Sequence, residues 1–555
     1  MADARRELAM THMELGDIPA AKDQLIDALC LKPDDAWSYV VLGNIYAKHD
    51  QDLDAARRFF NRALELKPGD PYALNSLATV SVEQGDPAQA IHCFDQAIST
   101  HPEFANAWAG KAMLLLRQGQ PAQATTVLEA MFGCAKTMDA RSLPVFAEAR
   151  KLYLSAQTQL AETQLSDASL ALEGYKADIA KLSGYSVTTK SEDVPGELSG
   201  VAQMAWKHGR DYHLIQLRRA LPPPDAQHIE AHELTHIRLE ALARRSSRNR
   251  WFATSAVSRE TAIRAIAGDI RRLEKNGYAP DSITRVVLEL LQGVCGFLFN
   301  APLDMWIETL IRRDFPSLRP AQFVSLHRLA NEGLKATVHP EIRKATPLTI
   351  LRATTALNGV QALFLDEFAH GITDFWSHYR GFDSASTSQR LFQRWKDRRD
   401  NLQPGDEYDL VDEFAEVLGM RGWYEWKPDS GNDENSTGKP HTGTTNPVLL
   451  QEKHPAAVWH LLDALQRFDP LPVDKVRDIA TEIATLGQQG LDYACPEKQY
   501  ALHSLPGESF SGLQLMCLMY AGFKHIAPDA NPGMDLEEPF QQALKLFEAR
   551  RGTAP

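Results

Sequence analysis

The stretch AWSYVVLGNIYAKHDQDLDAARRFFNRALELKPGD, Ala36 to Asp70, decides how the first part of the chain folds. Its apolar residues recur at helical spacing in two runs, with the polar turn KHDQDLD between them. Small residues (Gly43, Ala56, Ala63) let two antiparallel helices approach, Leu42 and Phe60 fill the space beside them, and Pro68 stops the second helix. One such hairpin cannot bury its own apolar face, so the reading predicts neighbours of the same kind.

The neighbours are present. A unit precedes it at Ala2 to Asp35, a third runs from Pro71 to Phe104, and a fourth begins at Ala105. The period is 34 residues, with one extra residue in the second unit, in its turn. Equivalent positions carry Leu8, Leu42 and Leu77; Ala21, Ala56, Ala90 and Ala124; and Leu25, Phe60, Phe94 and Leu128. Pro33, Pro68 and Pro102 close the first three units. This pattern, with Gly43 and Tyr46 at signature positions, resembles the tetratricopeptide repeat over about a quarter of the chain. The resemblance implies a concave surface that binds an extended peptide or another protein. Trp37, Asn44, Tyr72 and Asn75 would line it, with Val40, Thr79, Asn106 and Met113 beside them. These residues are apolar or amide-bearing, so the expected partner is a segment with apolar side chains.

Beyond the repeats, 555 residues are too many for one core. The expected plan is a repeat array over 1–140, a helical connector and loop over 141–200, a mostly helical domain with a small sheet over 201–428, a flexible linker over 429–447, and a C-terminal helical module over 448–555. TTKSEDVPGELSG (188–200) reads as a loop at a boundary, and DYHLIQLRR just after it as a short strand. A formal charge of −13 argues against nucleic acid or an anionic membrane as main partner, and the arginine-rich RLEALARRSSRNR (238–250) reads as a solvated helix end. The six cysteines are scattered without a CxxC pair, which excludes a cysteine metal site and suits a reducing compartment. The N-terminus has no apolar signal core, and no uninterrupted apolar run reaches the ~18 residues of a membrane span. A soluble cytoplasmic protein is the expectation.

The stretch that carries chemistry is AHELTHIRLE, Ala231 to Glu240. On a helix, His232 and His236 stand one turn apart on one face, so both rings can converge on one cation. Glu233 lies about 100° round, where a carboxylate can reach a water beside that cation without ligating it. Three prolines stop the preceding segment, and Asp225 is placed to cap the helix. A catalytic zinc takes a third protein ligand and keeps one position open. FNAPLDMWIETLIRR (299–313) offers Asp304 and Glu308, four residues apart in an apolar segment, with Pro302 suited to a first helical turn and Asn300 to its cap. A face of Asp366, His370, Asp374 and His378 is a reserve source of ligands. With it come His370, Tyr379 and Arg380 as transition-state donors, provided the helix survives Gly371.

Here the sequence resembles the zincin metallopeptidases in their gluzincin-like arrangement, over perhaps 100 residues. The resemblance implies His232, His236 and Asp304 as zinc ligands, Glu308 as the carboxylate supporting a histidine, and Glu233 as general base. Aspartate stands where that family has glutamate as the ligand, so whether Asp304 or Glu308 completes the site is left open. The expected fold is mainly α: an α-solenoid of helical hairpins, then a zincin-like α+β domain, then a helical module. The expected function is a Zn2+-dependent peptidase acting on a protein recruited by the repeats. The alternative is a non-enzymatic repeat adaptor with a structural metal or none.

Overall fold

The computed structural model describes residues 1–134, 142–192, 199–219, 221–275, 280–338, 343, 346–429, 455–488, 491, 498–528 and 536–551. Two units emerge from the packing: Met1–Thr163 with Gly371–Thr373, and Gln164–His370 with Asp374–Pro555.

The first unit is a row of helical hairpins, α1 (Ala2–Glu14) with α2 (Ile18–Leu31), α3 (Ala36–Ile45) with α4 (Leu53–Leu66), α5 (Pro71–Glu83) with α6 (Pro87–Thr100), and α7 (Ala105–Arg117) with α8 (Pro121–Cys134). α9 (Leu143–Thr163) packs on α7 and α8. An aspartate begins the second helix of each of the first three hairpins. Asp17, Asp52 and Asp86 accept the N–H of Ala20, Ala55 and Gln89 at 3.2, 2.9 and 3.0 Å. Ala21, Ala56 and Ala90 are wholly buried at the helix contacts, with Leu25, Phe60 and Phe94 beside them. A Cβ on Gly43 would stand 2.5 Å from the Phe60 ring, which is why glycine is needed where these helices cross. The extra residue of the second unit is absorbed as a π-helical turn, Tyr46–Asp50, closed by Gln51 at φ +57°.

One expectation fails within the array. Val40 is 1% exposed and belongs to the core, so it does not face a partner. Of the equivalent leucines, Leu42 and Leu77 are buried, Leu42 against Ala9, Ala21 and Leu25 of the first hairpin, while Leu8 is exposed.

The second unit is built around α12 (Pro223–Arg245). Before it come α10 (Leu165–Ser183), β1 (Ser186–Glu192), β2 (Gly200–Gln203), α11 (Ala205–His208) and β3 (Tyr212–Arg218). The strands form one sheet in the order β1-β3-β2, with β1 parallel and β2 antiparallel to β3. Of the loop expected over 188–200, residues 188–192 are therefore strand, and 193–198 lie outside the described residues. Both faces of β1 are polar or half-exposed, so its sequence lacks the alternation that announces a strand. After α12 follow β4 (Arg250–Ala253), α13 (Ala256–Ala265), α14 (Ala267–Lys275), α15 (Pro280–Asp314), α16 (Arg319–Val338), α17 (Leu348–Phe368), α18 (Ala385–Arg398), α19 (Glu407–Leu418) and β5 (Glu425–Pro428), which pairs with β4.

Pro302 does not start a helix as expected; it lies inside the long α15. Apolar packing on both sides of it (Leu298, Ala301, Met305 and Ile307 are buried) holds the helix together across the one backbone hydrogen bond that proline removes. Val286–Asp314 and Leu348–Phe368 are, by length and composition, apolar enough to cross a membrane, although no single apolar run announces it. In this structure their apolar windows are 72% and 67% buried within the unit.

The linker expected over 429–447 lies outside the described residues except for Asp429, which accepts from Asn249 at 2.9 Å and pairs with Arg244. The C-terminal residues, expected as a helical module, share the second unit's core. α20 (Pro455–Phe468) packs on α15, and α21 (Val473–Gln488), the hairpin β6 (Gln499–Leu502) with β7 (Leu505–Ser511), α22 (Gly512–Ile526) and α23 (Glu537–Arg551) complete it. The connector expected over 141–200 is likewise divided, α9 falling in the first unit and α10 in the second.

Candidate metal centre

α12 begins after Pro222, with Pro223 in its first turn. Asp225 is buried inside that turn and accepts from Arg328 Nε at 2.8 Å, so it anchors α12 to α16 and does not cap it. Two turns on, His232, Glu233 and His236 are all buried. α15 crosses this face and brings Asp304 and Glu308 to it.

Three ligand atoms converge. His232 Nε2 and His236 Nε2 are 3.1 Å apart, and Asp304 Oδ1 lies 3.4 Å from the first and 3.9 Å from the second. Ligands at about 2.0–2.1 Å around a tetrahedral zinc stand roughly 3.3 Å apart, so the triangle has the size that ion needs. Asp304 Oδ1 is buried and has no conventional hydrogen-bond partner. A buried carboxylate oxygen aimed at two imidazole nitrogens is costly by itself and suits a cation among them. The donor set of two nitrogens and one oxygen fits zinc.

Glu308 takes a different place from Asp304. Its Oε1 accepts from His232 Nδ1 at 2.7 Å, and its Oε2 accepts from His228 Nε2 at 2.9 Å and from Gln322 Nε2 at 2.7 Å. Three donors fix the carboxylate, and the carboxylate holds the His232 Nδ1 proton, so that Nε2 faces the cluster and can ligate a cation once its own proton leaves. Glu308 is thus the support of a ligand in this geometry, and the ligand triangle contains Asp304. His228 is buried within this network. Gln322 had no signal: a lone glutamine on an amphipathic helix points to nothing until α16 is placed.

The charges follow the geometry. Burial works to lower the His232 pKa, but Asp304 and Glu308 outweigh it and raise it to about 10. Burial, then the neighbouring His232 charge, hold His236 well below the ordinary value. Burial pushes Asp304 up to about 6 against the pull of His232. Burial would raise Glu308 as well, but His228 and His232 keep it below the usual carboxylate range.

Glu233 sits under β2, where a Cβ on Gly200 would stand 3.3 Å from Glu233 Cγ and 2.5 Å from Ile229 Cγ2. Only glycine lets the strand lie this close to the helix at the carboxylate. One turn beyond His236, Glu240 accepts from Trp206 Nε1 at 2.7 Å and from Lys207 Nζ at 2.6 Å, which ties α11 to the same helix.

The reserve face does not form. α17 ends at Phe368, and His370 and Gly371 follow with φ +53° and +77°, which breaks the helix. Asp366 instead accepts the backbone N–H groups of Phe375 and Trp376, both at 2.9 Å. His370, His378 and Arg380 are exposed, whereas Tyr379 is buried and lines a cavity that also touches His232 and Asp304.

In the array, Trp37 meets Tyr72 edge-on at 5.2 Å between ring centroids, and Tyr72 meets Phe104 at 4.9 Å. Tyr72 is half exposed, and Trp37, Asn44 and Asn75 are partly so.

Comparison with known proteins bears on the array. Residues 6–71 and 81–136 match models of the tetratricopeptide repeat, a module of protein–protein interaction. Over 86 residues the chain is 30% identical to the mitochondrial import receptor subunit TOM70 of Homo sapiens, and the Rattus norvegicus protein matches equally. The match covers 16% of this chain and spans only 14% of the length of each relative. Among solved structures, a thermophilic tetratricopeptide-repeat protein of Thermus thermophilus is 17% identical, with a TM-score of 0.25, covering 29% of this chain and 89% of that one. The pilF protein of Pseudomonas aeruginosa is 19% identical, also at 0.25, covering 33% and 91%. Neither repeat match reaches the residues of the metal cluster.

Proposed function

We propose that the chain is a zinc-dependent peptidase whose N-terminal repeats recruit its protein substrate. The observation that supports it is the convergence of His232 Nε2, His236 Nε2 and Asp304 Oδ1 within 3.9 Å of one another. These three residues would hold the ion, and Glu308 would orient His232. A bound zinc supplies Lewis acidity, polarising a peptide carbonyl and making water a better nucleophile at neutral pH. Glu233, next in sequence to a ligand and buried under β2, takes a proton from the attacking water and returns it to the leaving amine. The exposed part of Trp37 and Tyr72, with Asn44 and Asn75, offers the array an apolar and amide surface for a protein segment. Free thiols at Cys30, Cys93, Cys134, Cys295 and Cys517 suit work in the cytoplasm.

The test is zinc content beside cleavage of a pool of unfolded peptides read by mass spectrometry. Glu233→Gln retains stoichiometric zinc and loses cleavage by about 10²–10⁴-fold; His236→Ala loses the zinc. Wild-type protein purified without zinc, and unable to take it up, would sink the proposal.

A second reading has its own observation. Glu233 is 0% exposed and every ligand is buried, which also suits a metal that only braces the fold of an interaction scaffold. That reading expects Glu233→Gln to change nothing while Trp37→Ala with Tyr72→Ala abolishes partner capture.

A further inference from the structure

The face by which each hairpin rests on the one before it is bare on the first. Leu42 and Ile45 of α3 are buried against Ala9, Ala21 and Leu25 of the first hairpin, and Leu77 and Val80 of α5 against Ala56 and Phe60 of the second. Their equivalents on α1, Leu8 and Thr11, are exposed, with no hairpin before them among the described residues. Ala4, exposed where Ser38 and Ala73 are buried, and Leu15 extend the row. Positions 4, 8, 11 and 15 of a helix fall within about 60° of one another, so small and large side chains alternate along one edge. The Thr11 hydroxyl donates to the Glu7 carbonyl at 3.1 Å, which satisfies the one polar side chain on that edge. Single exposed leucines are ordinary, but Leu8 and Leu15 are 45% and 77% exposed on a face that elsewhere in the row is a helix contact.

What the face accepts follows from its shape and its borders. The same face of α3 and α5 rests on helices, so the fitting occupant is a helix, with small residues opposite Leu8 and Leu15 and large ones opposite Ala4 and Thr11. One border carries Glu7 and Glu14, both exposed and in no ion pair among the described residues. The other border is turned to α2, where Arg5 is held by Gln24 and Asp27. The open border is therefore anionic. A second copy fits poorly, because a two-fold pair of antiparallel helices sets each border against itself and would bring four glutamates together. A helix bordered by lysine or arginine meets no such repulsion.

We propose that this face of α1 docks an amphipathic helix of another protein, with leucine and alanine along its apolar edge and lysine or arginine beside it. The interaction uses neither the aromatic row of Trp37 and Tyr72 nor the metal cluster.

The experiment follows the fluorescence anisotropy of a labelled three-heptad synthetic helix titrated with the full chain. Leucine and alanine alternate along the apolar edge of this helix and lysine stands on both borders; a counterpart carries glutamate on the borders. The lysine helix is expected to bind about 10-fold tighter than the glutamate helix at low salt, and the gap to shrink in ~0.5 M salt. Leu8→Asp, at an exposed position, weakens the lysine helix at least about 10-fold although it adds a negative charge, because a leucine buried in the complex is lost. Leu15→Asp acts in the same direction. Glu7→Gln with Glu14→Gln narrows the gap between the two helices, and Tyr72→Ala leaves both affinities unchanged. Equal binding of the two helices, or lysine-helix binding untouched by Leu8→Asp, overturns the proposal. A chain that dimerises in sedimentation and becomes monomeric on Leu8→Asp overturns it too, in favour of a second copy at this face.

Discussion

The array and the unit that carries the His–Asp cluster, called here the metal unit for its candidate site, distribute their polar contacts in opposite ways. In the array each aspartate cap, each alanine contact and each proline recurs, and the main helix contacts among its described residues fall within a hairpin or with the next one. In the metal unit one carboxylate, Glu308, accepts from three donors, and its histidine partners stand 76 and 80 residues away in sequence. The first arrangement spreads any loss over repeats; the second concentrates it.

The largest expected effect therefore comes from Glu308→Ala. It leaves His228 and His232 buried without their acceptor, which costs about 3–5 kcal/mol of unfolding free energy and weakens zinc about 10–100-fold. Asp304→Ala reverses the pattern: zinc is lost, while the metal-free protein is as stable as wild type or more so, because a buried and poorly satisfied carboxylate has gone. Denaturant melts of both variants with and without zinc check it. Equal loss of stability in the two would erase the distinction drawn between ligand and support.

How legible the two regions were in the sequence follows from the same contrast. Repetition made the hairpins readable, since a pattern seen at Ala21, Ala56 and Ala90 is tested by its own recurrence. Val40 was misread because period alone does not separate a groove position from a core one. At the candidate metal centre, the grouping of His232, Glu233 and His236 was readable because one helix sets their spacing. Asp304 and Glu308 were noted as a pair but could not be ranked, since only the crossing of α15 over α12 decides which of them meets the two Nε2 atoms. Gln322, the Lys207–Glu240 tie and the strand β1 depend on tertiary placement and left no local trace.

A second, somewhat smaller effect asks whether sensitivity in the metal unit extends beyond the cluster. Glu407, buried at the start of α19, accepts the Gly405 N–H at 2.6 Å, and burial pushes its pKa up to about 7 from 4.5. The folded chain thus holds this proton more tightly than the unfolded chain does. Its contribution to stability is complete below pH 4.5, declines as pH rises from 4.5 to about 7, and is flat above. Glu407→Gln keeps an acceptor for Gly405 and removes the charge, so at pH 8 it should stabilise by about 3 kcal/mol. Chemical denaturation at pH 5 and pH 8 reads the difference; an unchanged slope between them would confine the unit's electrostatic strain to the metal site.

The smallest effect is the one that defines the array. Asp17→Ala, Asp52→Ala and Asp86→Ala each remove a single N-cap bond of the same kind, at a cost of about 1 kcal/mol apiece. Because the caps stand in different hairpins and share no partner, pairs of these substitutions should add within about 0.5 kcal/mol. Hydrogen exchange of amides in α2, α4 and α6 resolves the three sites separately, each substitution loosening its own helix first and its neighbours less. The second hairpin is the informative case, because Asp52 follows the π-helical turn and the left-handed Gln51. A cost at Asp52 matching the other two would mean that the inserted residue is absorbed without strain on the cap. A clearly larger cost would mean that the cap holds the inserted turn closed, and the array would then have one concentrated weak point of the kind that otherwise distinguishes the metal unit.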